Sequence, residues 1–295
     1  MPPRTLRLAC SYLRVDVGGV PAIDGLTLAS TGDHVLVLGA ARALFEAAAG
    51  LRAAAHGDLR VEGIAPIEAS RSRVVGCAPR DPPLPDAWTA FDYAAWSARL
   101  AGHGRTTAHA LAKESLARLQ IEPTGRTPLA AATQAVRRAT VLAAAMATGA
   151  QTLLIEDPIA GLADDAGDAL ARSLVHFLGD RFSVIFAPRI ALTSPLALAA
   201  DEAIVIDGSE VAAQGAPAGI AAQAGAIAVR AVGHLGDFQR AIDARGGQAR
   251  MSTAALLPAH VRVELGPLTA RDVLQIAAEC GTIVVELRPL ARMFA

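Results

Sequence analysis

Residues 34–63 limit the possible folds of this chain more than any other stretch, because a buried strand there leads into a helix through one glycine. They read HVLVLGAARALFEAAAGLRAAAHGDLRVEG: four apolar residues, then Gly39, then a helical pattern and a second strand. Backbone N–H groups between such a strand and helix can hold phosphate, and a lysine neutralises its charge. Neither GxxxxGKS nor GxxxxGKT, the motif that does this, is present, and Lys113 is the only lysine of the chain. The stretch therefore predicts an α/β fold of the phosphate-binding type without the binding lysine.

The composition excludes several classes of function. The 295 residues are 53% hydrophobic, enough for a sizeable core, and the formal net charge of −1 gives no electrostatic reason to expect nucleic acid as a partner. Three scattered cysteines without a CxxC pair predict neither a disulfide framework nor a zinc site, and they favour a reducing cytoplasm. Residues 1–30 lack the apolar core of a signal peptide.

One uncharged run, residues 139–155, invites a membrane-spanning interpretation. It contains Thr140, Thr148, Gln151 and Thr152, whereas a membrane span needs about 20 strongly apolar residues. We predict a buried helix followed by a buried strand, and no transmembrane segment of the chain's own.

The order of predicted elements divides the chain into two domains. Residues 5–30 alternate in short apolar runs broken by glycines, which predicts an antiparallel sheet. A strand, helix and strand pattern follows, gives way to a helical stretch at about residues 84–149, and then resumes. Residues 227–295 read β-α-β-β-α-β, the split βαβ order of ferredoxin-like domains. We predict a first domain at residues 1–222 with an inserted helical subdomain, and a small α+β domain at residues 227–295.

Five segments, in this order, resemble the ATP-binding cassettes that drive membrane transporters, in the branch of ABC-2-type exporters. They read GGVPAIDGLTL, AAGLRAAAHGDLRVEG, GCAPRDPPLPDAWTAFDYAAWSARLAG, TLLIEDPIAGLAD and ADEAIVIDGSEVAAQGAP. The C-terminal unit is similar to an appendix found on many ABC-2-type members. The resemblance covers nearly the whole chain, and it implies an α/β fold with an ABC-type RecA-like core, an N-terminal antiparallel β-subdomain, an inserted helical subdomain and a C-terminal ferredoxin-like domain.

The resemblance places the family's phosphate loop at a segment that lacks its binding groups. The aligned residues are Gly39, Ala40, Ala41, Arg42 and Ala43. This segment is about four residues shorter than the family's loop, and Ala41 stands at the lysine position. Arg42 is a candidate for a substitute cation, because a guanidinium can bind phosphate when a loop positions it.

The metal-binding and base-stacking positions are altered as well. Arg80 aligns with the glutamine that ligates magnesium, and Val17 with the aromatic residue that stacks on adenine. The two acids are present in reversed order, Glu156 before Asp157. Glutamate is one methylene longer than aspartate, so the exchange moves both carboxylates. A shift of about 1 Å can reduce a rate ~10²-fold. We expect Glu156 and Asp157 to be vestigial acids with a structural role, and we expect no metal site.

The family's signature motif aligns with residues 132–136, ATQAV. Thr133 keeps a hydroxyl, but Gln134 and Ala135 place side chains where close backbone approach to phosphate is required. The switch histidine of the family falls on Pro188 or Arg189. The resemblance thus implies a vestigial signature that could not complete a partner's nucleotide site.

The altered positions indicate a catalytically degenerate homologue of ATP-binding subunits that serves as a structural, docking component of a membrane ABC transporter complex. We expect neither ATP nor magnesium as a cofactor, and no ATP hydrolysis. The expected partners are a membrane-spanning transporter subunit, an intact ABC ATPase subunit, or both, with the chain peripheral at the inner, cytoplasmic face of the cell membrane. Two alternatives remain: a soluble pseudo-ATPase adaptor in another assembly, and a weakly active ATPase with an atypical site.

The predicted partner-binding surface is the segment RDPPLPDAWTAFDYAAWSARL, which contains both tryptophans of the chain. It aligns with the groove in which the family receives a short cytoplasmic helix of the membrane subunit. Its candidate contacts are Arg80, Trp88, Tyr93 and Trp96. Large aromatic residues are frequent anchors of protein interfaces. Alternatively, some of the rings fill the core of the helical subdomain, since Trp88, Phe91 and Ala95 follow helical spacing.

Overall fold

The structure, a computed structural model, describes residues 6–179, 181–222, 225–251 and 258–289. Its central sheet has six strands, which are, from one edge to the other, β5 (Val75–Ala78), β6 (Thr152–Glu156), β7 (Phe182–Ala187), β3 (His34–Gly39), β8 (Glu202–Asp207) and β9 (Glu210–Gly215). The first five pair in parallel, and β9 runs antiparallel to β8. The parallel strands read as continuous apolar runs because both faces of the sheet are covered.

Alternate residues of β3 face two separate cores. Val35 and Val37 pack with α1 (Ala41–Ala48) and the N-terminal sheet, whereas Leu36 and Leu38 pack with the helical side of the molecule. The N-terminal sheet is antiparallel, in the order β2 (Val20–Ser30), β1 (Leu8–Val17), β4 (His56–Val61), and α2 (Pro66–Arg71) follows β4 in the chain. The predicted antiparallel subdomain is therefore confirmed, and it covers one face of the central sheet.

The chain between β5 and β6 is helical, as predicted. Its helices are α3 (Ala90–Leu100), α4 (Arg105–Arg118) and α5 (Gln134–Ala147), with short 3₁₀ turns at Glu122–Thr124 and Leu129–Ala131. Fully buried alanines, such as Ala94 on α3 and Ala108 on α4, let these helices approach closely. The uncharged run at residues 139–155 forms the buried end of α5 and strand β6. No helix in the described parts of the chain is long and apolar enough to cross a membrane.

Between β6 and the C-terminal unit, the described residues form three further helices: α6 (Asp164–Leu178), α7 (Pro195–Ala199) and α8 (Pro217–Ala222). Leu174 and Phe177 of α6 and Leu196 of α7 enter the same core as Leu36 and Leu38. These helices, together with α5, cover the second face of the central sheet.

The C-terminal unit is a four-stranded antiparallel sheet with two helices. Its strand order is β11 (Gln248–Met251), β12 (Ala259–Glu264), β10 (Ala226–Val232), β13 (Ile283–Pro289), and its helices are α9 (Leu235–Ala244) and α10 (Ala270–Glu279). This is the split βαβ arrangement predicted from the sequence. Phe238 and Ile276 are buried in a core of the unit's own. The second predicted strand of this unit, which the sequence pattern places at residues 248–253, is described only as far as Met251, and residues 290–295 also lie outside the described residues.

Candidate nucleotide site

Strand β3 passes into α1 through a single residue, Ala40. Gly39, the last residue of β3, has a φ of 98° and donates its N–H to the carbonyl oxygen of Pro188 at 3.2 Å. A Cβ atom at Gly39 would lie 2.0 Å from the carbonyl oxygen of Ile206 on the neighbouring strand β8. Backbone crowding therefore requires the glycine, and the short turn offers no series of N–H groups that could surround a phosphate.

A shallow depression of about 300 Å³ lies beside the start of α1. It is lined by Val17, Ala22, Gly39, Ala40, Ala41, Arg42, Ala43 and Glu46. Val17 is 42% exposed there, and its side chain has no π-face on which a base could stack. The polar side chains of the depression are one guanidinium and one carboxyl group.

Arg42 is engaged with acids of the chain itself. Although 68% of its side chain is exposed, its Nε lies 3.2 Å from Oε1 of Glu46 and 3.7 Å from Oε1 of Glu156. Glu46 also accepts a hydrogen bond from Nε of Arg52 at 2.7 Å. Burial raises the pKa of Glu46, but the hydrogen bonds from Arg52 and Arg42 outweigh burial and hold the pKa below its ordinary value. Arg42 therefore faces two acids rather than an open anion site.

The acid pair lies at the end of strand β6, and a guanidinium lies beside it. Oε2 of Glu156 accepts a hydrogen bond from the backbone N–H of Arg80 at 2.8 Å. The Arg80 side chain donates from Nε to Oδ2 of Asp81 at 2.9 Å, and its Nη1 lies 3.9 Å from Oδ2 of Asp157. A cation at this position repels a metal ion. Within the described ranges, no three His, Cys, Asp or Glu groups gather as a metal site would require. The residues present do not fit a magnesium–nucleotide complex.

Asp157 belongs to a tight backbone turn. Its φ is 41°, its N–H donates to the carbonyl oxygen of Phe186 at 2.8 Å, and its own carbonyl oxygen accepts from the N–H of Ala160 at 3.2 Å. Burial raises the pKa of the Asp157 carboxyl, and the guanidinium groups of Arg80 and Arg138 only partly oppose this effect. The backbone hydrogen bond to Phe186 ties the turn at Asp157 to strand β7.

Asp157→Asn is expected to leave the protein at least as stable at neutral pH as the wild type. A carboxyl whose pKa is raised in the folded state stabilises the fold below its unfolded pKa, near 3.8, and that contribution is lost as pH rises through the folded pKa. The amide avoids this loss, and asparagine tolerates a positive φ. Thermal denaturation at about pH 4 and at neutral pH measures the difference.

The matched control is Asp58→Asn, at an exposed aspartate that pairs with Arg60. A clear loss of stability at neutral pH for Asp157→Asn, absent from the control, would show that the charged Asp157 carboxylate makes a stabilising contact.

The residues aligned with the signature motif begin helix α5. Thr133 is the N-cap residue, and its hydroxyl accepts a hydrogen bond from the N–H of Val136 at 3.3 Å. Gln134 and Ala135 are the first two residues of the helix. The Thr133 hydroxyl therefore caps its own helix, a contact that stabilises a helix by about 1 kcal/mol. Binding a nucleotide of another subunit through this hydroxyl would have to compete with the cap.

The sequence pattern does not single out Arg138, which connects the signature segment to Asp81 and to the turn after β6. This residue is 6% exposed, and its Nη2 lies 3.3 Å from the carbonyl oxygen of Ala160 and 3.3 Å from Oδ1 of Asp81. It thereby joins α5 to the turn after β6 and to the loop after β5. One signal is present in the sequence: Arg137 and Arg138 directly precede the uncharged run, where a charged side chain on a buried face is exceptional.

The three aromatic candidates for partner binding form one cluster, here called the aromatic patch: Trp88, Tyr93 and Trp96. The ring centroids of Trp88 and Trp96 are 5.6 Å apart, and that of Tyr93 lies 6.5 Å from Trp88 and 6.0 Å from Trp96. Trp96 is 44% exposed, whereas Trp88 and Tyr93 are partly buried against the core. Arg80, the fourth candidate, lies outside this cluster, where it pairs with Asp81 and stays partly exposed.

The alternative that some of the rings fill the helical core is confirmed, since Trp88 and Phe91 are partly buried against it, but Trp88 precedes helix α3 and does not belong to one helical stripe with Phe91 and Ala95. A capping box sets the start of this helix: the Thr89 hydroxyl accepts a hydrogen bond from the N–H of Asp92 at 3.1 Å. Phe91 and Ala95 do pack in the helical core. The helical core and the aromatic patch therefore share this segment.

Solved structures match the chain in fold. That of cbiO1 from Clostridium perfringens, part of the ABC transporter complex cbiONQ, has a TM-score of 0.63 and 18% identity over 74% of this chain and 91% of its own. The ADP form of MJ1267, an ATP-binding cassette of an ABC transporter, has a TM-score of 0.61 and 13% identity over 73% of this chain and 94% of its own. A nucleotide-free ATP-binding cassette from an ABC transporter has a TM-score of 0.61 and 14% identity, over 72% of this chain and 91% of its own.

No protein-family model matches the sequence, and no curated protein matches it. The structural likenesses establish the fold class predicted from the sequence. The chain has the mixed α/β fold of ABC-type ATP-binding cassettes, with a central parallel sheet and flanking antiparallel sheets.

Proposed function

We propose that this protein is a nucleotide-independent homologue of the ATP-binding subunits of ABC transporters, in the ABC-2-type exporter branch, and a structural, docking component of a membrane transporter complex. The observation that carries the proposal is the junction of β3 and α1, where Ala40 alone stands in place of a phosphate loop. The Arg80 guanidinium near Asp157 supports it, since a fixed cation disfavours magnesium at the acid pair. Such a protein is a pseudo-ATPase that keeps the scaffold of a cassette.

The proposed domain division rests on the second unit's own core, although Ala228 of that unit also lies in the core of the first. Residues 1–222 form the cassette, with the helical subdomain at about residues 84–149, and residues 227–295 form the second domain. A distinct apolar cluster around Phe238 and Ile276 supports the second domain as a unit with its own core. Because it does not depend on nucleotide, this domain is a suitable surface for pairing with a second cassette.

The aromatic patch is the proposed docking surface for a short cytoplasmic helix of a membrane-spanning subunit. Trp96 and Leu100, which are 44% and 67% exposed, lie one turn apart on α3 and present adjacent apolar side chains. Trp88 and Tyr93 contact Trp96 and hold its ring in place. Membership of cbiO1 in a transporter complex supports a membrane partner and a position at the inner, cytoplasmic face of the membrane. An intact ABC ATPase subunit is the second proposed partner, because this chain would supply no nucleotide site.

The purified protein is expected neither to bind ATP with magnesium at micromolar concentrations nor to hydrolyse it. The turn at Ala40 has no loop that could hold the phosphates. Val17 lacks an aromatic ring, and stacking of a base on such a ring contributes about 1–3 kcal/mol. Equilibrium binding of a fluorescent ATP analogue in the presence of magnesium measures the affinity, with an active cassette as the positive control.

Micromolar affinity that Arg42→Ala abolishes would contradict this expectation. It would assign Arg42 as a substitute cation and favour a weakly active ATPase with an atypical site. Arg52→Ala is the matched control, because Arg52 also pairs with Glu46 but does not line the depression.

A further inference from the structure

A second, smaller pocket lies between the loop after β5 and the first turns of α5. Its volume is about 160 Å³, and the charged side chains that line it are Arg80, Asp81, Arg137 and Arg138. Gln134 lies at the same pocket. None of these residues lines the depression beside α1, so the two cavities are separate.

Arg138 is buried in the wall of this pocket with part of its guanidinium unpaired. Its Nη2 has the two partners given above, Ala160 and Asp81. Its Nε and Nη1 have no hydrogen-bond partner among the described residues. These two atoms carry three N–H bonds, and a buried charged group with unmade hydrogen bonds is costly. Desolvation also lowers the pKa of Arg138, as expected when burial disfavours the charged form.

The charges around the pocket do not balance. Three guanidinium groups line it against one carboxyl, Asp81, which Arg80 and Arg138 share at 2.9 and 3.3 Å. Arg137 donates from Nη1 to the carbonyl oxygen of Leu129 at 2.8 Å, and this acceptor carries no net charge. Two further acids lie nearby without lining the pocket: Oδ2 of Asp157 is 3.9 Å from Nη1 of Arg80, and Glu156 accepts from the Arg80 backbone N–H. The described side chains that line the pocket therefore carry an excess of positive charge, and the buried Nε and Nη1 of Arg138 in its wall have no partner in the described part of the chain.

We propose that this pocket binds a single oxyanion group, a phosphate or a carboxylate, held by Arg138 with Arg137 and Gln134. Guanidinium groups pair with the oxygens of both groups through charge-assisted hydrogen bonds. The apolar walls formed by Leu84 and Val141 strengthen such contacts by excluding water. A volume of about 160 Å³ is enough for one such group. The site is independent of the proposed docking function and of the depression at Arg42.

Thermal unfolding tests the proposal with inorganic phosphate as the probe, against chloride at equal ionic strength. A concentration well above the dissociation constant should raise the melting temperature of the wild type by about 2–4 °C. Arg138→Met, which keeps the bulk of the side chain, should abolish this rise. A titration followed by calorimetry should show at least about tenfold weaker phosphate binding for Arg138→Met. Acetate is the second probe: a rise with both anions assigns oxyanions in general, and a rise with phosphate alone assigns phosphate.

Two further variants locate the effect. Arg137→Met tests the pocket through a less buried residue, and it should weaken phosphate binding even if Arg138→Met folds poorly. Arg118→Met, at a half-exposed arginine on α4 that pairs with Glu114, should leave the phosphate response unchanged. The proposal is overturned by an equal response of the wild type and the two pocket variants, by no response to either anion, or by a response that Arg42→Met removes instead.

Discussion

Gly39→Ala should destabilise the protein by about 3 kcal/mol or more, one of the two largest effects that the structure predicts. The backbone at Gly39 has a φ of 98°, and an L-residue in this region costs roughly 1–2 kcal/mol. In addition, the new Cβ would lie 2.0 Å from the Ile206 carbonyl oxygen, so β3 and β8 would have to move apart. Overpacking of this kind typically adds about 1–3 kcal/mol. Urea denaturation followed by circular dichroism measures the loss.

Gly25→Ala is the matched control. Gly25 has a φ of 88°, close to that of Gly39, but its Cβ would meet nothing within 4 Å. The control therefore carries the conformational cost without the crowding. If Gly39→Ala costs no more than Gly25→Ala, crowding against β8 does not explain the glycine, and close approach of a phosphate to the backbone becomes the better explanation.

The layers of the fold could be predicted because the signals that set them are local. The apolar run from Val35 to Leu38 predicts a strand with both faces buried, and the structure places alternate residues of β3 in two cores. The glycines of the N-terminal segment predict the antiparallel sheet, and the β-α-β-β-α-β pattern predicts the C-terminal unit. Helices α2 and α7 are six and five residues long, which is fewer than two helical turns, so the sequence shows no helical periodicity there.

The contacts of the candidate site could not be predicted, because they join residues far apart in the chain. Arg138 meets Asp81 and the carbonyl of Ala160 only after α5 has packed between the loop after β5 and the turn after β6. Arg42, at the start of α1, likewise meets Glu156 at the end of β6, although β7 lies between β3 and β6 in the sheet. Periodicity shows which face of a helix is buried, but it does not show which partner a buried guanidinium will find.

Trp96→Ala is expected to weaken association with the membrane subunit by about thirtyfold or more. An aromatic anchor buried at an interface typically contributes about 2 kcal/mol or more to binding, and every 1.4 kcal/mol is about tenfold in affinity. Trp96 is 44% exposed in the isolated chain, so its truncation removes little from the core and circular dichroism should not change. Trp88→Ala should have the same effect on association, because Trp88 contacts the Trp96 ring. Fractionation of cells into membrane and soluble parts measures the bound share of each variant.

Leu198→Ala is the control, since Leu198 on α7 is 73% exposed and lies outside the aromatic patch. It should remain with the membranes as the wild type does, because removing an exposed apolar side chain elsewhere leaves the proposed interface intact. If both tryptophan variants remain in the membrane fraction, the aromatic patch does not mediate membrane association. A wild type found entirely in the soluble fraction would contradict docking altogether, and it would favour the soluble pseudo-ATPase adaptor, for which the same fold needs no membrane subunit.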